Sequence, residues 1–466
     1  MSMKKTILIS ALAAALSTSA IGVASAATTS QVTAPASFNL MVNDASLQVR
    51  SVQTNGTTLV SVRDLGSAAG ALFVVNVKNG VTAYINGHSI ELHAGSNAAL
   101  VDGAQVDLEQ AIENVGGSYY IAVNDFVSIF DVEATTDAAG QVWIDTVAKI
   151  HADSINWINA NQLLASSLTE EGRTDYVIDA KTGAATKVLS SETASELSVS
   201  PDGSKAAYTD EDGVVSVIDL TSPTFASKQV SADSSIKPEL VWSADGSAIY
   251  FLQGDKGSVI QKLNVADGTL TKVLEDKVDY KANLSVSTDG TKFYYTVTKP
   301  GAVTAPDGKP VDADDVAIDT TGTEPQVYFY DASVKESAPV KLTTTADDKI
   351  FVGAAADGSK AFYVSVEDGK PSSLVAIAKD KTVKKLIEDK DVLQATIAGD
   401  KIYALTDAGE QTGLYEVDTA AGTSKLVRNL DGNVSEVVAA ANAPVAVVVD
   451  DQTFVIQGDT LSKITK

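Results

Sequence analysis

Seven times between Ser154 and Lys466 the chain repeats one pattern, four short strand-like segments in a unit of about 40 residues. The first segment runs into a turn, written Ser200-Pro-Asp-Gly203, Ser243-Ala-Asp-Gly246, Ser287-Thr-Asp-Gly290 and Ala355-Ala-Asp-Gly358, with looser versions at Asn159-Ala-Asn161 and Ala398-Gly-Asp400. The last segment carries a lysine, which recurs as Lys187, Lys228, Lys272, Lys341, Lys385, Lys425 and Lys463, at spacings of 41, 44, 69, 44, 40 and 38. One unit therefore holds an insertion, which spans Lys299 to Gln326. Four strands per unit at this period predict a β-propeller, because no single unit can bury its own apolar face and stacking the units does. We read seven blades, starting near Ser154, Glu192, Ile236, Lys281, Lys349, Leu393 and Val434, with six or eight as alternatives.

Each repeated residue has a structural reason. A tight hairpin needs a residue at positive φ, and glycine takes it without a Cβ clash. The fourth strand is the outer edge of its blade, and a lysine there keeps the edge from pairing with another chain. No spare strand precedes the first unit to complete the last, so the expected closure of the ring is blade-to-blade packing.

The first 26 residues have a different character. Lys4-Lys5 precedes the apolar run Ile7 to Val23 and then Ala24-Ser25-Ala26, the pattern of a secretory signal cleaved between Ala26 and Ala27. The expectation is a secreted protein, extracellular or associated with the cell wall. Residues 27–37 read as a small, polar, disordered tether. No later run of about 18 apolar residues predicts a membrane span. Cysteine is absent, which removes disulfides, thiolate metal sites and cysteine nucleophiles. The formal net charge of −25 argues against nucleic acid or anionic lipid as a partner.

Between Phe38 and Thr146 a second duplication appears. Leu59-Val-Ser-Val-Arg63-Asp64-Leu65 aligns with Tyr120-Ile-Ala-Val-Asn124-Asp125-Phe126, and Val81 to Ile85 with Val142 to Ile144, both at an offset of 61. Each copy reads as a strand, a short helix opening near Asp64 or Asp125, then two strands. Between the copies, Gly95 to Leu108 reads as a hairpin bent at Asp102-Gly103.

The segment Val62-Arg63-Asp64-Leu65 to Gly70 and the Gly-Ser-x-x-Ala-x-Val-x-Gly hairpin (Gly95 to Gly103) resemble the copper-amine-oxidase N-terminal-like, or stalk, domain of secreted proteins from Gram-positive spore formers. The family's usual proline is replaced by Ser61 and Ala122. The resemblance implies a non-catalytic domain, since the oxidase chemistry belongs to a separate domain with three histidine ligands and a modified tyrosine. This chain has only His88, His93 and His151, and strand alternation puts the first two on opposite faces. No copper is expected. The Ser-x-Asp-Gly-x-x-Ile-Tyr-Phe form of the third unit resembles the propellers of TolB and of prolyl-oligopeptidase-type hydrolases. The predicted fold is thus mainly β, a small duplicated α+β domain at 38–146 followed by a propeller at 154–466.

The propeller units contain no His or Cys, so they offer no Ser-His-Asp hydrolase site, and no P-loop or dinucleotide fingerprint is present. No catalytic or cofactor-binding residue is assigned. The acidic insertion offers a weak Ca²⁺ candidate at Asp312, Asp314 and Asp315, without the glycine an EF-hand loop needs. The functional expectation is a secreted, non-enzymatic protein whose propeller presents loops to a protein or cell-wall partner. The alternative is a metal-dependent propeller enzyme acting on a sugar or lactone through carboxylates. Convergence of acids at the channel mouth, against scatter around the rim, discriminates the two.

Overall fold

A computed structural model describes residues 36–43, 45–76, 80–85, 88–130, 132–136, 142–147, 149–304 and 317–466. Signal-cleavage residues Ala26 and Ala27 and the Ca²⁺ candidates Asp312, Asp314 and Asp315 lie outside the described residues. The chain divides into two compact units, residues 1–149 and 150–466.

In the first unit the strands are β1 (Ala36–Val42), β2 (Ala45–Thr54) and β3 (Thr57–Ser61), followed by helix α1 (Val62–Ala68). Next come β4 (Leu72–Asn76), β5 (Gly80–Ile85), β6 (His88–His93), β7 (Ala98–Val101), β8 (Ala104–Asp107), β9 (Glu113–Val115) and β10 (Ser118–Ala122). Helix α2 (Val123–Ile129), β11 (Glu133–Thr136) and β12 (Val142–Asp145) complete it. Each duplicated copy is strand, helix, strand, strand, as its sequence reads. The two equivalent strands β3 and β10 pair antiparallel, Val60 opposite Ile121, inside a sheet ordered β11-β12-β1-β2-β3-β10-β9. Strands β4 to β8 form a second sheet. Both feed one core that includes Leu40, Leu65, Ile90, Ile121 and Phe126.

The copies differ at the helix starts. Ser61, standing where the resembling family has proline, is the N-cap of α1 and accepts a hydrogen bond from the Asp64 amide at 3.3 Å. Ala122 makes no such cap at α2. Asp64 is held below the usual carboxylate range, first by its bond from the Arg50 guanidinium, at 2.6 Å from Nη2 to Oδ1. Asp125 instead accepts from the amides of Glu109 and Gln110, and burial pushes its carboxyl up. Two residues given to the tether belong to the fold: Ala36 and Ser37 pair with Ser51 and Arg50 in β1–β2. Small neutral side chains carry no strand pattern, and backbone pairing with β2 decides the matter.

In the second unit, the described residues form seven sheets of four antiparallel strands, one per repeat, plus one two-stranded ribbon. The innermost strands are Ser154–Asn159, Ser198–Val199, Leu240–Trp242, Lys281–Val286, Asp348–Ala354, Val392–Ala398 and Val434–Val438. Each touches the next around a ring and the last touches the first, which closes a seven-bladed propeller. Closure is by packing: Ile155, Leu163 and Ile178 of blade 1 share a core with Val438, Ala446 and Val455 of blade 7. The Trp157 indole also donates to the Val438 carbonyl at 3.2 Å, as Trp242 of blade 3 donates to Ser198 of blade 2 at 2.8 Å.

The turn chemistry repeats atom for atom. The hydroxyls of Ser200 and Ser243 donate to Asp202 and Asp245 at 2.7 and 2.6 Å, and each serine oxygen accepts the amide five residues on at 2.9 Å. The repeated lysines sit on the outermost strands, for example Lys187 on Ala185–Ser191 and Lys425 on Thr423–Leu430. The insertion is not a structureless loop throughout. Ala302–Thr304 pairs with Ala317–Asp319, Val303 opposite Ile318, in a ribbon outside the blade sheets. Three-residue strands are too short for an apolar period to announce them.

Candidate functional site: the carboxylate-lined channel

The inner strands position the site. In blades 2, 3, 4, 5 and 7 a turn closes on Ser200, Ser243, Ser287, Ala355 and Ala440, whose carbonyls accept the amides of Gly203, Gly246, Gly290, Gly358 and Ala443. Four residues before each turn start stand Glu196, Glu239, Asn283, Phe351 and Glu436, and blade 6 has Gln394 at the same distance before Ala398. This one position in six of the seven blades thus holds three glutamates.

A cavity of about 590 Å³ opens there, lined among others by Asn156, Glu196, Glu239, Gln394, Thr396 and Glu436. Five blades contribute to it. Two of the side chains are also struts between blades. Glu239 Oε1 accepts the Leu284 amide of blade 4 at 2.7 Å, and Gln394 Oε1 accepts the Val437 amide of blade 7 at 2.8 Å. In both cases the donor is the residue just after the neighbouring blade's ring position, so the bond is a repeated device. The electrostatics follow from position. Burial pushes the Glu239 carboxyl up, opposed by its amide bond. Burial also raises Glu436, and the charge of Glu196 raises it further. Glu196 itself is exposed.

A second repeated group stands at the entrances of inner strands, and one member, Lys237, also lines the cavity. Lys237, Lys281 and Lys349 open the inner strands of blades 3, 4 and 5 with their side chains fully buried. Each ammonium pairs with a nearby aspartate: Asp233 at 2.9 Å, Asp276 at 2.7 Å and Asp347 at 3.0 Å. Backbone carbonyls complete the shell, Gly213 for Lys237, Ser258 for Lys281 and Thr345 for Lys349. These lysines are committed to stitching one blade's exit loop to the next blade's entry. They do not neutralise the channel glutamates.

Three acids, Glu196, Glu239 and Glu436, converge on this cavity, the arrangement that the enzymatic alternative expects. In the sequence Lys281 and Lys349 mark blade starts only, and nothing singles out these glutamates. The available signal was the fixed distance of four residues before the turn, which the varied identities Glu, Asn, Phe and Gln conceal. The histidines do not assemble. His88 and His93 occupy opposite ends of β6, and His88 Nδ1 lies 2.6 Å from Asp102 Oδ2. His151 faces Asp153 at 3.3 Å. This donor set does not fit a copper site. Among the described residues no group of three or more His, Asp or Glu side chains is arranged to hold a metal ion, the channel glutamates included. Among them, too, no helix is long and apolar enough to cross a membrane.

No curated protein matches the chain. Among solved structures, TolB from Acinetobacter baumannii is similar at 15% identity and a TM-score of 0.39, over 78% of this chain and 80% of that one. Oligogalacturonate lyase from Vibrio parahaemolyticus is similar at 12% identity and a TM-score of 0.47, over 68% of this chain and 93% of that one. Acylaminoacyl peptidase from Pyrococcus horikoshii is similar at 14% identity and a TM-score of 0.47, over 68% of this chain but only 52% of that one. Residues 41–144 match the copper amine oxidase N-terminal domain family.

Proposed function

We propose that this chain is a secreted, non-enzymatic binding protein, with the N-terminal domain as stalk and the propeller channel as receptor for a positively charged segment of a protein or cell-wall partner. The observation that carries the reading is the convergence of Glu196, Glu239 and Glu436 on one cavity with the amides Asn156 and Gln394. Such a lining accepts hydrogen bonds from ammonium or guanidinium groups and favours their charge. Glu239 and Gln394 are fixed by backbone amides of the next blade, so the receptor is pre-organised and loses little freedom on binding. The N-terminal pattern Lys4-Lys5, Ile7 to Val23 and Ala24-Ser25-Ala26 supports export, with the mature chain starting at Ala27.

The same convergence also suits the enzymatic alternative, and a second observation favours it. Glu436 is raised while its neighbour Glu196 is exposed, and unequal environments are how two carboxylates come to divide the roles of acid and base. The decisive experiment compares the mature protein with the Glu196→Gln/Glu436→Gln double variant in capture from cell-wall and secreted-protein extracts. We expect a basic partner retained by the parent, released by salt, and lost with the double variant. Turnover of a sugar or lactone from a substrate panel, abolished by Glu436→Gln alone, would replace the binding reading with the enzymatic one.

A further inference from the structure

The outermost strands differ in length, and the two shortest leave openings. Blade 4 ends in Val340–Lys341, two residues, and blade 2 in Ser227–Gln229, three residues. A strand that short leaves the face of the following blade uncovered at its outer end. Grooves stand at these two junctions: about 620 Å³ between blades 2 and 3, and about 900 Å³ between blades 4 and 5.

Their linings differ in charge. The groove between blades 2 and 3 carries Lys205 and Lys228 beside Asp219. The groove between blades 4 and 5 carries Glu324, Asp347, Asp348, Glu367 and Asp368 against Lys370 and Lys385. Asp347 is taken by Lys349, and Glu367 by Lys370. Glu324, Asp348 and Asp368 form no ion pair among the described residues, so the rim keeps an uncompensated negative charge. Between the acids the wall is apolar. It descends through Val383, 54% exposed, to Val375, Ile377, Leu342 and Tyr363 of the core between the two blades. Acids above an apolar floor match a chain segment that alternates basic and apolar side chains.

We infer that the blade 4–5 groove is a docking site for an extended, basic, apolar-anchored peptide segment of a partner protein, separate from the channel. A second copy of this chain is a poor occupant, because a net charge of −25 sets like charges against the rim. Size suits the assignment too, since the volume lies within the range of about 300–1,000 Å³ typical of ligand pockets.

The test uses the mature full-length protein and three fluorescent heptapeptides: alternating Lys/Leu, alternating Lys/Ser and alternating Glu/Leu. Binding is read by fluorescence anisotropy at low salt. The Lys/Leu peptide should bind, the Lys/Ser peptide about tenfold or more weakly, and the Glu/Leu peptide not at all. The Asp348→Lys/Asp368→Lys variant and Val383→Asp should each weaken the Lys/Leu peptide by about tenfold. All three positions belong to exposed side chains, and circular dichroism verifies that each variant is folded. Glu196→Gln/Glu436→Gln removes any share of the peptide that the channel takes, and in that background the groove variants should still weaken the remaining binding by about tenfold, which separates failure of the groove from failure of the channel reading. Three results would overturn the assignment: no binding of the Lys/Leu peptide, binding indifferent to the groove variants, or loss only with the channel variant. A dimer in light scattering that the Asp348→Lys/Asp368→Lys variant dissolves would also overturn it, in favour of self-association.

Discussion

The seam between blade 1 and blade 7 joins residues at the two ends of the propeller, and the structure says how strong it is. Trp157 is 6% exposed, packs in the seam core, and donates its indole N–H to Val438 at 3.2 Å, across 281 residues of sequence. Trp242, 7% exposed, makes the same bond to Ser198 within the continuous part of the ring. If the seam is an ordinary blade interface, equal perturbations at the two sites cost alike. Trp157→Phe keeps most of the packing and leaves the Val438 carbonyl without its donor, a loss of about 1–2 kcal/mol. Trp157→Ala adds the cavity, for a total of about 3–5 kcal/mol. Urea unfolding followed by far-ultraviolet circular dichroism gives both values, with Trp242→Phe and Trp242→Ala measured alongside. The reasoning fails if Trp157→Ala costs less than about 1 kcal/mol while Trp242→Ala costs the full amount. The ring would then be held by its continuous interfaces alone, with the seam contributing nothing.

Three further outcomes are expected. The serine hydroxyls and the amides of Ser204 and Ser247 hold the Asp202 and Asp245 carboxyls down to about 2, below the unfolded value of about 3.9. Their stabilisation is complete above that unfolded value and is lost as pH falls through the folded one, so Ser200→Ala/Ser243→Ala should move the acid-unfolding midpoint upward. Glu436 runs the other way: its folded carboxyl is raised by burial and by Glu196, so its charge opposes folding at neutral pH and the opposition fades as pH falls. Glu436→Gln should therefore raise the melting temperature at pH 7 and leave it unchanged near pH 4, as differential scanning calorimetry will register. Lys281→Met strips the partner from Asp276, which keeps only 13% of its side chain exposed, and should destabilise by about 3 kcal/mol in urea titration, more than Lys425→Met on the outer edge, which should cost less than 0.5 kcal/mol or so.

Much of the fold was legible because its signals are local. A Ser-x-Asp-Gly turn is a closed set of bonds within six residues, so its chemistry is written where it acts. The start of α1 is equally local, since Ser61 accepts the Asp64 amide, whereas Asp125 at α2 turns to the distant Glu109 and Gln110 amides. Two kinds of feature escaped. Short pairings such as Val303 with Ile318, or Ser37 with Arg50, depend on where a neighbouring backbone happens to lie. The channel ring escaped because its members share a place and not a chemistry. Glu196, Glu239, Gln394 and Glu436 lie far apart in the chain, and only the stacking of inner strands brings them to one cavity.

The lysines show why period alone could not tell role. Outer-edge lysines Lys228, Lys272 and Lys341 are separated by 44 and 69 residues, and the buried lysines Lys237, Lys281 and Lys349 by 44 and 68. Both series keep the beat of the same blades and the same insertion, so repetition assigns neither. What separates them is whether an upstream acid folds back onto the ammonium. Asp233, Asp276 and Asp347 precede the buried lysines by two to five residues, close enough for a loop to fold back and meet the ammonium. A lysine at a blade entrance with no such acid would bring an unpaired charge into the interior, which a protein avoids. Blades 6 and 7 agree with this: Leu393 and Val434 stand at their entrances, and neither blade buries a lysine there. The acid–lysine pair is therefore the unit of the device, but its spacing does not announce it: Asp267 stands five residues before Lys272 and Asp459 four before Lys463, and both lysines stay on outer strands.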